Sequence, residues 1–333
     1  QYRIKAVNGD LESAYSNVIE LDLSGADDPR IDPTTVSFVP DDVIISADDM
    51  LYLLSGENQS IFTWDIRSQT WGGTMPLEDA PAYFTYSARN EALFTQYSNG
   101  VINSLNLAAN TPVEIAFAQL PAGQVCGLIA AGDYLVSCEA IFGWDNHRSF
   151  DITGNLVDVV DYRYPIARGV WSEANQNIYH FRDDTSPNDL ISTPIFEDGS
   201  IGIDQDSPYH SSEGIVYPLR VKPDGSVVVL GSGRIYDALS LEYIDDVPAT
   251  FIDALWSGEN LITATDSAIS LNPAPAYTGE LKLSFTDKVL RIFLSRSNRL
   301  VVVVETADGN TGFFVYDESF NLVEPPIFIN GFE

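Results

Sequence analysis

The chain has 333 residues, of which 45% are hydrophobic and 11% aromatic, so it carries enough apolar surface for a core and is not a disordered segment. Its 48 Asp and Glu against 17 Lys and Arg give a formal net charge of −31, which argues against nucleic acid and anionic membrane as partners, since both need basic surfaces. No apolar run approaches the roughly 18–20 residues of a membrane span, so no membrane insertion is expected. An acidic surface of this strength keeps a protein soluble by self-repulsion; the alternative use of its carboxylates is to bind calcium.

In chain order, Tyr2, Ile4 and Ala6 alternate with Arg3, Lys5 and Val7, the period of a half-buried strand. Asn8-Gly9-Asp10 supplies a turn, and residues 17–23 a second strand. The pattern Tyr2-x-Ile4-x-Ala6-x-Asn8, Gly9, Glu12-Ser13 and Ser16-Asn17-x-Ile19 resembles the last two strands of a fibronectin type III domain. That resemblance assigns residues 1–24 to such strands and implies that the chain is the C-terminal part of a longer multidomain protein. Residues 25–40, with Gly25, Pro29, Pro33 and Pro40, read as an exposed linker with a short strand at 35–39.

From Asp41 onward one pattern recurs about every 40 residues. Its clearest copy is MLYLLSGENQSIFTWDIRSQTW at 50–71: an apolar strand, a polar turn, a second strand ending in Trp64-Asp65, and a turn into a third. The repeats divide as 41–81, 82–123, 124–165, 166–214, 215–251, 252–287 and 288–326. Each holds four short strands and none holds an amphipathic helix, which predicts an all-β chain folded as a β-propeller over 41–326. Seven blades are expected, or six or eight if the long fourth repeat divides differently. Residues 227–230 and 300–304 are apolar without alternation, as strands covered on both faces are. Third strands end in Trp64-Asp65, Trp144-Asp145, Tyr236-Asp237 and Tyr316-Asp317, where the aspartate is expected to close an Asx turn. In rhythm the stretch resembles the bacterial YVTN-like and kelch-like propellers. The paired glycines of kelch repeats, the Gly-His and Trp-Asp of WD40 repeats, the sialidase aspartate box and the quinoprotein tryptophan repeat are all missing, so the resemblance implies a fold and no particular activity. In the tail, 327–333, two preceding prolines stop the last strand, and Phe328-x-x-Gly331-Phe332-Glu333 resembles endings found on some secreted gammaproteobacterial proteins.

Cys126 and Cys138 flank GLIAAGDYLVS, and a hairpin centred on Gly132 puts them opposite one another. They are read as a disulfide, against two buried thiols; a disulfide implies an oxidising compartment. His147, His180 and His210 fall in separate stretches without ligand spacing and are expected to be structural or at the surface. Among the acidic turns (Asp183-Asp184 with Asp189, Asp198-Gly199, Asp204-x-Asp206) only Asp204 and Asp206 match the opening positions of a calcium loop, and they are the metal candidates. No nucleophile elbow, phosphate loop or zinc set is present, so no catalytic residue is nominated and no cofactor beyond calcium is considered. Of the five tryptophans, Trp171 and Trp256 occupy equivalent first-strand positions that suggest packing between blades, while Trp71, in a polar turn, is the candidate for stacking on a sugar ring.

These readings lead to a non-enzymatic, extracellular or surface-displayed bacterial propeller acting in adhesion, partner binding or self-assembly. Its partner would be a protein, a glycan or a second copy of itself. The alternative is a secreted carbohydrate-active lyase or hydrolase, or a glycan-binding module. An enzyme on this scaffold needs His, Tyr, Arg or carboxylates gathered at one mouth of the central channel.

Overall fold

Short apolar strands separated by turn residues fold locally into antiparallel meanders, and here each meander is one blade. The computed structural model describes residues 30–121, 124–141, 144–181, 189–208 and 214–324, together with the strand pair Val7–Asn8 and Leu11–Glu12. Six sheets of four consecutive strands and a seventh of three, extended by the Tyr316↔Leu322 bridge, form a seven-bladed β-propeller with no helix among the described residues. The innermost strands are Asp42–Ile45, Tyr83–Ser87, Val125–Ala131, Val170–Ser172, Leu219–Val221, Asp253–Ser257 and Lys288–Leu294. They surround the central channel.

The core is divided among the seven seams between adjacent blades, one apolar cluster to each. This division explains the strands that lack alternation. In Leu300–Glu305, Leu300, Val302 and Val304 pack toward blade six, while Val301 and Val303 pack toward blade one. Val228 and Leu230 likewise face blade four and Val229 faces blade six. Successive side chains point to opposite faces, both faces are covered, and so every position is apolar. Each such side chain contributes about 1.5–3 kcal/mol relative to exposure.

The ring closes between blades seven and one by packing, without a shared strand. Phe62, Leu53, Val301 and Val303 form the seam and Phe38 is buried in it. Residues 30–40, read from the sequence as an exposed linker with a strand at 35–39, contain no strand. They are a strap over the closure: the Thr311 hydroxyl donates to the Phe38 carbonyl at 2.7 Å and the Thr74 hydroxyl to the Ile31 carbonyl at 2.6 Å. The prolines that suggested a linker restrict the strap's backbone, and its apolar residues anchor it. Val7–Asn8 pairs antiparallel with Leu11–Glu12, whereas the expected second strand at 17–23 lies outside the described residues. The remainder of residues 1–29 and the tail lie outside the described residues.

Three of the four expected Asx turns form. Asp65 accepts from the backbone of Arg67 and Ser68, Asp237 from Leu239 and Ser240, and Asp317 from Ser319 and Asn321. Asp145 differs: it lies inside the strand Trp144–Phe150, which begins where the sequence reading ended it. Residues 145–149 are polar and look like a loop, but Arg148 pairs with buried Glu139 at 2.7 Å and His147 and Ser149 are buried. In blade four the outer strand is Gln205–Asp206, and Ile201 makes only an isolated bridge to Ile195.

Cys126 and Cys138 form a disulfide, Cα atoms 4.9 Å apart. The hairpin register differs by one from the expected centring on Gly132: Ala131 pairs with Tyr134 and Gly127 with Cys138. A bulge at Cys126 absorbs the offset and brings the sulfurs together. Gly127 follows it at φ +149°, where a Cβ would fall 2.7 Å from the Ile166 carbonyl carbon, so glycine is needed there. Closing this short ring is expected to contribute about 3 kcal/mol. Denaturant unfolding with and without reductant should show that difference, and equal midpoints would mean the seam holds the hairpin unaided.

Candidate functional site

The residues singled out by sequence are dispersed. The Asp204 carboxylate pairs with Arg163 at 2.8 Å and accepts from the Thr193 hydroxyl at 2.7 Å, so its charge is answered within the fold. Asp206 is exposed on the outer strand opposite Ile191. Among the described residues, the group of three metal-capable side chains found close together is Cys126, Cys138 and Asp145, and its two sulfurs are bonded to one another. Asp183, Asp184 and His210 lie outside the described residues. Trp71 is not in an exposed turn. It is half-buried in the closing seam, edge-on to Phe313 at 5.2 Å and 6.0 Å from Phe38. Trp171 and Trp256 pack between blades, in the seams of blades three–four and five–six.

His147 and His180 come from separate blades and meet in the third seam, rings 6.0 Å apart and both fully buried. His147 Nε2 lies 2.8 Å from the Tyr164 carbonyl, and His180 contacts the Pro165 carbonyl and the Thr193 hydroxyl. Burial disfavours their charged forms and pulls their pKa values down, to about 4 for His147 and about 3 for His180. The pair is neutral, enclosed and without access to substrate. Sequence spacing could not reveal it, because the contact is made across a blade boundary.

A central cavity of about 1850 Å³ opens among the inner strands and the loops leading into them. Its wall holds Arg168, Arg220 and Arg291 with Tyr83, Tyr217, Asp42 and Asp266. Two of the arginines are committed to a clasp that runs through four consecutive blades. Asp253, 1% exposed, takes Arg220 on one carboxylate oxygen and the Arg291 Nε at 3.0 Å on the other, while Arg291 reaches Asp42 at 2.6 Å. The backbone N–H groups of Ala254 and Ile292 also donate to Asp253, at 2.9 and 3.0 Å. Burial pushes the Asp253 proton affinity up, but the two guanidiniums outweigh it and hold the carboxyl below the ordinary carboxylate range. Asp253 and Asp42 thus balance Arg220 and Arg291.

The outer rim offers a different surface. The edge strand of blade three, Leu156–Arg163, is 8 residues long, the longest outer strand among the described residues. Asp158, Val160 and Arg163 face inward: Asp158 accepts from Ile201 N, Val160 packs on the third seam and Arg163 donates to the Gly202 carbonyl. Val157, Val159 and Tyr162 are exposed, Tyr162 to 75%. A bulge opposite Asn146 and a left-handed φ of 62° accompany the outward turn of Tyr162. Trp144, 48% exposed, meets it edge-on at 6.3 Å. Trp144, not Trp71, is thus the exposed indole. Its position became readable only with the start of its strand.

No protein-family model matches the chain, and no curated protein matches it in sequence. Solved structures do match in shape. A hydrazine synthase chain from Kuenenia stuttgartiensis is similar at TM-score 0.61 and 11% identity, over 84% of this chain and 95% of that one. The dihydro-heme d1 dehydrogenase NirN, in complex with DHE, is similar at TM-score 0.59 and 11% identity, over 89% and 77%. The WD40 β-propeller domain of Doa1 is similar at TM-score 0.58 and 13% identity, over 85% and 96%. These proteins differ in function, and at such identities the likeness is one of fold alone. It extends to the propeller architecture, not to the YVTN-like or kelch-like kind.

Proposed function

We propose that this chain is a non-enzymatic binding propeller that takes a protein partner on the rim of blade three, in adhesion or assembly outside the reducing cytoplasm. The observation that carries the reading is the exposed apolar side chains of Val157, Val159 and Tyr162 on one edge strand with Trp144 against Tyr162, on a chain of net charge −31. Contiguous apolar surface of this kind marks interaction sites, and exposed Tyr and Trp are their commonest anchors. The disulfide supports an oxidising compartment, and so a secreted or cell-surface setting. Charge selects the partner. Two copies, each at −31, repel. The favoured occupant is therefore a foreign protein that presents apolar side chains flanked by Lys or Arg.

The test uses the full chain and the double variant Val159→Asp with Tyr162→Ser. Both positions are exposed, so the variant should melt within about 0.5 kcal/mol of the parent. Secreted and surface proteins of the source cells are captured on each, and the captured protein is purified and titrated. Affinity should drop roughly 30-fold or more in the variant, while Leu281→Asp on the rim of blade six should leave it intact. Equal binding by the rim variant would refute the assignment. Light scattering, with calcium and with EDTA, should give a monomer. A large assembly dispersed by the double variant would replace the foreign partner with a second copy.

A further inference from the structure

With 48 carboxylates for 17 cationic side chains, an arginine in this protein should find an ion pair, and most of the described ones do. Arg168 is an exception. It lies in the wall of the central cavity, exposed, with its guanidinium over the Tyr217 ring at 5.4 Å and no carboxylate in ion-pair contact among the described residues. Its backbone is costly to hold. The Gly169 N–H closes a turn onto the Ile166 carbonyl at 2.9 Å, and Arg168 occupies the left-handed position of that turn at φ 57°. Glycine takes this conformation freely and arginine does not. Next to it Gly169 keeps the turn tight, since a Cβ there would meet the Ile129 Cδ1 at 2.8 Å.

The platform beneath Arg168 is rigid. Tyr217 donates its hydroxyl to the Ala167 carbonyl at 2.7 Å, and its ring stacks on Phe181 at 4.1 Å. Tyr83, in the same cavity wall, is half-buried on the inner strand of blade two. Burial raises its phenol's proton affinity and the charge of Arg168 opposes that rise, so the two groups share one field. Backbone strain kept at a cavity wall, on an unpaired charge, points to a ligand.

We propose that Arg168 anchors a small organic monocarboxylate at this mouth of the channel, with Tyr83 beside it. The guanidinium fork matches a carboxylate in two parallel hydrogen bonds. A single charge is expected because Arg220 and Arg291 are already neutralised by Asp253 and Asp42, which leaves Arg168 as the one cation of the wall to answer the ligand, and the carboxylates of Asp41 and Asp266 in the same wall disfavour a second negative charge. A dianion such as phosphate would also meet more repulsion from the net charge of −31. The carboxylate can come from an acidic sugar or from a peptide terminus.

Ligand-observed NMR titration separates these. Glucuronate represents the sugar, N-acetylglycylglycine the peptide, glucose the neutral control and inorganic phosphate the dianion. The full chain should bind at least one of the two carboxylates and neither control. Arg168→Gly should weaken that binding at least about tenfold while raising the melting temperature by about 1–2 °C, because the left-handed strain is relieved. Arg168→Lys, a point charge without the fork, should fall between the two. The proposal is overturned if neither carboxylate binds, if phosphate binds more tightly, or if Arg168→Gly binds as the parent does.

Discussion

Replacing Asp253 by alanine is expected to lower the stability of the protein by about 3–5 kcal/mol, the cost of removing one partner from a buried ion pair. The magnitude follows from what the carboxylate answers. It is 1% exposed, holds Arg220 and Arg291, and accepts from two backbone N–H groups. Without it both guanidiniums lose their buried counter-charge, and the inner strands of blades five, six and seven lose the group that joins them. Denaturant unfolding measures the loss directly. Asp253→Asn separates charge from shape: it keeps an acceptor oxygen but not the charge, and should recover less than roughly half of the loss. A fully stable Asn variant would show that shape, not ion pairing, holds the clasp. Asp42→Asn should cost under about 1 kcal/mol, because that carboxylate is 41% exposed and water screens its pairing with Arg291.

Acid should destabilise the fold before the carboxylates titrate. An unfolded histidine takes up its proton near pH 6.5. In the fold, His147 resists protonation down to about 4 and His180 down to about 3. Below pH 6.5 the unfolded chain therefore binds protons that the native chain does not, and proton uptake favours unfolding. The contribution is fully present above about pH 6.5 and is lost as the pH falls toward the folded values. At pH 5 the loss is about 2 kcal/mol per histidine and about 4 kcal/mol for the pair. Asp204 favours the charged form of both rings while Arg163 opposes it, and these two neighbours are themselves ion-paired. Lowering the net charge acts in the opposite direction but belongs to a lower window, since carboxylates such as Asp151 and Asp224 ionise down to about 2. Chemical denaturation at pH 7.5 and at pH 5 provides the test. A His180→Gln variant should be markedly less sensitive to that change, and unchanged sensitivity would place the acid lability elsewhere.

The architecture was legible because a propeller repeats a local event. Each blade is a meander of neighbouring strands, so turn residues and apolar runs inside about 40 residues specify it. The two-sided strands at 227–230 and 300–304 even announced that blades cover them on both faces. The disulfide was legible for the same reason, through a hairpin whose bulge corrected a register misjudged by one residue. Sequence reading failed where polar residues enter the sheet. The strand Trp144–Phe150 looked like a loop because His147, Arg148 and Ser149 are polar, and their partners, Tyr164, Glu139 and Gly199, lie elsewhere in the chain.

By itself the sequence determined the all-β class and the repeating four-stranded unit and pointed to seven blades and a facing cysteine pair, all read from contacts made within one repeat. Only the tertiary structure decided which side chains meet between repeats. It placed Arg220, Asp253, Arg291 and Asp42 in one clasp, paired His147 with His180, left Arg168 without an ion-paired carboxylate among the described residues, half-buried Trp71 in the closing seam and exposed Trp144 on the rim. The physical reason is range. Hydrogen-bonded strand pairing is set by neighbours along the chain, whereas charge pairing and burial depend on where ring closure brings residues up to 249 positions apart, as in the Arg291–Asp42 contact.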